Sequence, residues 1–263
     1  MASLNTYSKF YYNFVVTESN QWLDFNDGTA NRSIKIPFGG YTLASLAVKI
    51  AEEMNSVAVG RTFSVTTNRL TRIYTISAVG GNFSLLFSTG TNAGLGIFSL
   101  IGFAGSDFTG ASTYTGTSGC GSVYYPQYYL QGFIDADQTK FPVSAVVNKS
   151  SSGNVFEVVR FGSNRLYRFS IDWTTDLDLG SDSFIKTNLS GVSALNSFMD
   201  YCTNKYPVEI MPNENDSDDY DTIILETTPQ SPDGVSYEIS PDYSKNLPEF
   251  YTLGGKLVFR RVE

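Results

Sequence analysis

The 263-residue sequence contains no histidine. That absence removes the Ser-His-Asp triad, the Cys-His dyad and every imidazole-ligated metal site. Charge is sparse as well: Asp, Glu, Lys and Arg make up 17% of the chain, against about 25% in typical globular domains. Disordered chains and long coiled coils need more charge than this. Cys120 and Cys202 are the two cysteines, too few for a disulfide scaffold. There is no run of about 18 apolar residues, so no membrane anchor is expected. The opening stretch MASLNTYSKFYYNFVV lacks the basic region and apolar core of a signal peptide, and none is expected.

What is plentiful is aromatic and small. There are 17 Tyr, 19 Phe and 23 Gly, and hydrophobic residues reach 41%. Aromatics suit pleated, half-buried surfaces. The length allows one or two domains. The formal charge is −8, and it is unevenly spread. Residues 1–120 hold 7 Lys/Arg and 6 Asp/Glu, whereas residues 121–263 hold 11 and 20. An acidic surface repels phosphate backbones, so no specific nucleic acid is expected as a partner. Arg61, Arg69 and Arg72 form the one basic cluster, which is expected to be a solvated face.

Short strands separated by Gly, Asn, Asp and Ser dominate the chain. Residues 11–17, 21–25 and 33–37 read as strands, with Asn26-Asp27-Gly28 as a turn. An amphipathic helix is predicted over 43–57, where Leu43, Leu46, Ala47, Ile50 and Met54 share one face. Thr42 is placed to cap it. Residues 62–67 and 73–78 read as a hairpin, 83–87 as a strand, and 97–101 as a short helix. The stretch 104–122, rich in Gly, Ser and Thr, reads as a linker or long loop.

Beyond it, strands are predicted at 127–133, 142–148, 154–161 and 165–173, the last three as an antiparallel meander. A second helix is expected at about 191–203, with Val192, Leu195, Phe198, Met199 and Cys202 on its apolar face. Strands follow at 208–211, 222–227, 236–239 and 256–261. The fold class is therefore α+β and β-rich. It comprises two strand-dominated lobes, 1–115 and 116–263, each with one amphipathic helix packed on a sheet.

Catalytic signals are few. Cys120 sits in GTSGCGS (116–122), a glycine-flanked setting like that of some nucleophiles, but no histidine base accompanies it. It is expected to be structural, as is Cys202. The acidic loop NENDSDDYD (213–221) and the set Asp176, Asp178 and Asp182 lack the order of a calcium loop, and solvated loops are expected. STGTNAGLG (88–96) matches neither nucleotide-binding glycine pattern, so no cofactor is expected. The Tyr-rich run VYYPQYYLQGF (123–133) suits an interface, because tyrosine joins an apolar face to a polar tip. Tyr124, Tyr125, Tyr128 and Tyr129 are therefore candidate contact residues. The loop 104–122 and the C-terminal Arg260 and Arg261 are further candidates.

Three segments together carry a family resemblance. IPFGGYTLASLAVKIAEEMN (36–55), RIYTISA (72–78) and FSLLFSTGTNAGLGIFSLIGF (83–103) resemble a pattern in virion proteins of tailed bacteriophages. SSSGNVFEVVRFGSNRLYRFSIDW (150–173) and PVEIMPNENDSDDYDTIILE (207–226) resemble tail-tip or distal-tail structural proteins. The resemblance implies a structural, non-enzymatic virion component of the tail, tail tip or neck, assembled in the host cytoplasm. Its expected partners are copies of itself and other virion proteins, and it carries over no catalytic residue. Two alternatives are a host-glycan-binding adhesin and a tail-associated glycan hydrolase using two carboxylates.

Overall fold

The structure is a computed structural model. It describes residues 9–126, 145–149, 155–160, 166–169, 174–175, 190–211, 218, 220–226, 239–241, 250–253 and 257–262. In chain order it begins with β1 (Lys9–Tyr12), β2 (Phe14–Val16), β3 (Trp22–Asn26), β4 (Asn31–Lys35) and β5 (Gly39–Tyr41). Then come α1 (Leu43–Val57), β6 (Thr62–Asn68), β7 (Ile73–Val79) and β8 (Phe83–Leu85). Two single 3-10 turns, Ala93–Leu95 and Ile97–Ser99, precede β9 (Phe108–Ala111), β10 (Thr113–Thr115) and β11 (Ser122–Tyr124). The remainder holds β12 (Ala145–Lys149), β13 (Val155–Arg160), β14 (Leu166–Phe169), β15 (Thr174–Thr175), α2 (Val192–Thr203) and β16 (Val208–Met211). It ends with β17 (Asp221–Leu225), β18 (Ile239–Pro241), β19 (Phe250–Leu253) and β20 (Leu257–Val262). Strands outnumber helices among the described residues, and the fold is the β-rich α+β type expected.

The chain forms two compact units. One is continuous, Tyr11–Val123; the other is split in sequence into Met1–Phe10 and Tyr124–Glu263.

The continuous unit contains three small sheets, ordered β10-β7-β6, β4-β3-β8-β9 and β2-β5. Helix α1 begins and ends where the residue pattern predicts. Thr42 Oγ1 accepts from the Ser45 amide at 3.0 Å and Ser45 Oγ accepts from the Thr42 amide at 2.8 Å. This reciprocal cap satisfies two donors that a helix start leaves open. The predicted face of α1 is buried. At its far end the Asn55 side chain pairs with both backbone groups of Phe63, tying α1 to β6. The core is aromatic. Phe63 stands 5.2 Å from Phe25 and 5.1 Å from Phe83, and Phe83 stands 4.8 Å from Tyr114, all edge to face, a geometry that matches ring edges to ring faces.

Three expectations are corrected in this unit. Residues 104–122 are not a linker: β9 pairs with β8 and β10 with β7. Tyr114 within them is buried, and its hydroxyl donates to the Phe83 carbonyl at 2.7 Å. Residues 11–17 are not one strand. Asn13 takes a left-handed conformation, φ +76°, which asparagine tolerates better than most residues and which ends β1 before β2 begins. The third correction concerns Arg72, described with the site below.

The split unit is built on the sheet β11-β1-β16-β17-β20-β14. Its register is antiparallel where β16 meets β17, β17 meets β20 and β14 meets β20. The unit boundaries fall inside β1 and β11. Helix α2 packs against this sheet through Phe198, whose ring is 5.0 Å from Phe10 and stacks on Tyr124 at 4.7 Å. Cys202 lies buried on the same helix. The expected meander is corrected here. β12 and β13 do pair, but β14 pairs with the C-terminal β20, far away in the chain.

Candidate interaction site

Asp27 is fully buried in the turn between β3 and β4. Its Oδ1 accepts from the Thr29 amide at 2.8 Å, the Thr29 hydroxyl at 2.6 Å and the Ala30 amide at 2.9 Å. Its Oδ2 accepts from Arg32 Nε at 2.9 Å and the Val59 amide at 3.1 Å. Burial alone would raise its pKa, but these bonds outweigh it and hold the carboxyl well below the usual carboxylate range. Asp24 accepts from the Asn92 amide at 2.6 Å and from its side chain at 3.0 Å. Asp107 accepts from the amides and hydroxyls of Ser88 and Thr89. Burial opposes its ionisation as well, and the four bonds still bring its pKa down to about 2. These carboxylates pin loops; each is held as an acceptor.

Arg72 was expected in a solvated face and is instead 5% exposed. Its guanidinium carbon lies 4.0 Å from the Tyr11 ring centroid and 5.0 Å from that of Phe14. Its Nε donates to the Cys120 carbonyl at 2.8 Å. Two aromatic faces and a carbonyl replace the water that an arginine would otherwise require. Cys120 is buried beside it and its thiol donates to the Arg72 carbonyl at 2.9 Å. Burial pushes that thiol up to about 11, against a smaller opposing pull from the Arg72 charge. Cys202 is pushed well above its ordinary value, again by burial. Raised pKa values leave both as thiols and remove nucleophilic character.

The predicted contact residues separate. Tyr124 is 1% exposed and stacked on Phe198; its ring belongs to the interior of the split unit, not to a surface. Tyr125 is half-buried, and its amide is bonded to Ser190 Oγ at 3.2 Å. Tyr128 and Tyr129 lie outside the described residues, as do Asp176, Asp178 and Asp182 and most of the loop 213–221. Arg260 bonds the Glu226 carboxylate and Arg261 lies 3.0 Å from Asp221. Both arginines are half out in solvent, where such pairs stabilise by only about 0–1 kcal/mol. They remain available at the surface of β20.

A different cluster stands out in the continuous unit. Lys35 Nζ lies 5.9 Å from the Trp22 ring centroid and 5.5 Å from that of Phe38. Phe38 is 55% exposed. Sequence reading does not find this cluster, although register explains part of it, since Trp22 and Lys35 are directly paired across β3 and β4. The signal was a single bulky aromatic, Phe38, just before Gly39-Gly40. Among the described residues, no group of three His, Cys, Asp or Glu side chains is placed to hold a metal ion.

The arrangement defines a class: a two-unit β-rich α+β protein whose buried carboxylates organise loops. No protein-family model matches the chain, and no curated protein resembles it closely enough to count as a match.

Proposed function

We propose that this chain is a structural, non-catalytic virion component of a tailed bacteriophage, assembled as a homo-oligomer in the tail, tail tip or neck. The observation that carries the reading joins sequence to structure. The segments 36–55, 72–78 and 83–103 carry the resemblance to phage virion proteins. They also supply one continuous core, with Ile36, Leu46, Ile50, Tyr74, Ile76, Phe83, Leu85 and Ile101 all buried together. The likeness therefore follows a folding unit rather than scattered surface residues. Buried carboxylates engaged by loop amides suit a rigid scaffold, whose task is to hold surfaces in place.

In this role the chain resides in the virion, having assembled in the host cytoplasm. Its partners are further copies and neighbouring virion proteins. Electron microscopy of intact particles, with mass spectrometry of purified particles, tests the reading. The expected result is density for the β-rich fold at a ring or tip position. A monomer absent from particles would refute it. A second reading, a host-glycan-binding adhesin, is favoured by the Trp22–Lys35–Phe38 cluster, because sugars stack on exposed aromatic faces. Binding on a glycan array that is lost in Trp22→Ala would support it.

A further inference from the structure

A strand at the end of a sheet presents a row of unpaired N–H and C=O groups, which another strand can take up unless the edge is blunted. The continuous unit blunts several of its edges. On β6 the Asn55 side chain occupies both backbone groups of Phe63. On β4, the end strand of its sheet, Arg32 and Lys35 bring charge. On β9, at the other end of that sheet, the register against β8 is broken, and the left-handed Gly110, φ +84°, accepts from the Asn82 side chain at 2.9 Å. β10 is the remaining end of the sheet β10-β7-β6. It carries no charge, no proline and no bulge, and no charged residue stands between Asp107 and Asp135.

Which groups of β10 are open follows from its pairing with β7. Backbone groups in an antiparallel strand alternate between its two sides. The Ser112 carbonyl accepts from the Ala78 amide at 2.8 Å, and the Gly116 amide donates to the Tyr74 carbonyl at 2.8 Å. Tyr114, opposite Ile76, faces β7 in the same way. Thr113 and Thr115 therefore turn their amides and carbonyls outward, and no backbone group among the described residues bonds them. Both residues are exposed. The open stretch is bounded at both ends. The Ala111 amide donates to the Tyr114 hydroxyl at 2.9 Å, and the Thr117 amide donates to the Gly102 carbonyl at 2.8 Å.

We propose that β10 is a self-pairing edge, joined antiparallel to β10 of a second copy about a two-fold axis at Tyr114. The bounds of the open stretch select this occupant. A two-fold at Tyr114 sets Thr113 opposite Thr115 of the second copy, and Thr115 opposite its Thr113. Each such pair exchanges both of its N–H···O bonds, so every open group is used. Moving the two-fold to Thr113 or to Thr115 would call on the Ala111 or the Thr117 amide, and both are taken. A longer foreign strand gains nothing beyond these residues for the same reason. A two-fold contact needs a self-complementary patch, and Thr-Tyr-Thr is one. The exposed side chains agree. Thr113 Oγ1 donates to Ser77 Oγ at 3.1 Å, and Thr115 Oγ1 lies 3.2 Å from Thr75 Oγ1. These hydroxyl rows cross the sheet face, and the second copy extends them as cross-strand threonine pairs, which stabilise sheets. So short a contact is weak alone and gains from the many copies of an assembly. The proposal rests on the homo-oligomeric reading above and names the strand that joins the copies.

The test follows the full-length protein through a dilution series, by sedimentation velocity and by amide hydrogen exchange in NMR. Wild type is expected to self-associate, with the Thr113 and Thr115 amides protected when concentrated and open on dilution. Thr113→Pro removes an outward amide, and edge positions tolerate proline; self-association should weaken about 10- to 100-fold. Thr113→Lys places charge on the edge and should weaken it likewise, and it serves if the proline variant does not fold. Thr113→Val keeps the backbone groups and should change association about threefold at most. Equal association of wild type and Thr113→Lys would overturn the proposal, as would a loss in Thr113→Val as large as that in Thr113→Lys. So would amides protected equally at every dilution in a monomer, which would mean that the chain covers its own edge. If oligomers form while the Thr113 and Thr115 amides stay unprotected, this inference alone falls. If wild type is a monomer at every concentration and absent from particles, the homo-oligomeric reading falls with it.

Discussion

Replacing Asp27 with alanine should unfold the continuous unit at markedly lower temperature. The carboxylate accepts five hydrogen bonds that join the β3–β4 turn, Arg32 and the chain after α1. Thr29 is exposed and can turn its donors to water, so its two bonds are replaced at little cost. The Ala30 and Val59 amides and the partly exposed Arg32 guanidinium lose their acceptor. Because these donors can reach water in part, losing the buried acceptor costs about 1–3 kcal/mol. At about 4 °C per kcal/mol for a domain near this size, the melting temperature should fall about 4–12 °C. Asp27→Asn should cost less, because the amide oxygen still serves Thr29 and Ala30 while the Arg32 pair is lost. The measurement is thermal unfolding followed by circular dichroism and calorimetry. The pH dependence has a definite sign. The folded pKa of Asp27 lies below its unfolded value, so its contribution is complete above about pH 4 and declines as pH falls. Below that point the gap between wild type and Asp27→Ala should close by about 1.4 kcal/mol per pH unit. A loss under about 4 °C at neutral pH, or a gap that widens in acid, would refute the reasoning.

Thr42→Ala removes one half of the reciprocal cap on α1 and should cost about 1 kcal/mol in chemical denaturation; no measurable change would show the cap to be idle. Both cysteines should resist an aromatic disulfide reagent at neutral pH until the protein unfolds, since burial holds each as a thiol; one fast-reacting thiol in the folded protein would contradict this. Carboxyl titration by NMR should place Asp107 at about 2, and a midpoint near its unfolded value, about 4, would mean that Ser88 and Thr89 do not hold it.

What could be read from the sequence was what is decided locally. Helix α1 spans Leu43–Val57 with Thr42 as its cap, because cap and apolar stripe lie within one stretch of chain. The β6–β7 hairpin was legible for the same reason: two alternating runs flank Asn68–Arg72, where the Arg72 amide closes on the Asn68 carbonyl at 2.7 Å. Helix α2 and β16 likewise follow their own periodicity. Pairings across long separations were not legible. Leu166–Phe169 aligns with Leu257–Arg260, and nothing near either strand announces the other. β9 and β10 were read as loop because Gly, Ser and Thr mark loops by composition. Threonine is also a strand former, and the buried Tyr114 between Thr113 and Thr115 shows the period-2 alternation that composition concealed.

The site illustrates the same limit through two arginines. Arg61 and Arg72 look equivalent in sequence, as members of one basic cluster on strand-like sequence, and a solvated face is the natural expectation. Their fates are set by residues far away in the chain. Arg72 lies over Tyr11 and Phe14 and bonds Cys120, and a Cβ at Gly121 would press to 2.7 Å from Phe14 and 3.0 Å from Arg72 Nη2. Arg61 is admitted by Gly28 and Gly81 but meets neither ring nor acceptor. In both cases glycines that read as turn punctuation also make room for a guanidinium. The difference lies in what else faces the slot. Where the chain supplies aromatic faces and a carbonyl, the arginine completes a core. Where it supplies space alone, the Arg61 Nε is left without an acceptor. A glycine-rich sequence with few charges therefore has two uses for an arginine, and only the folded neighbourhood distinguishes them.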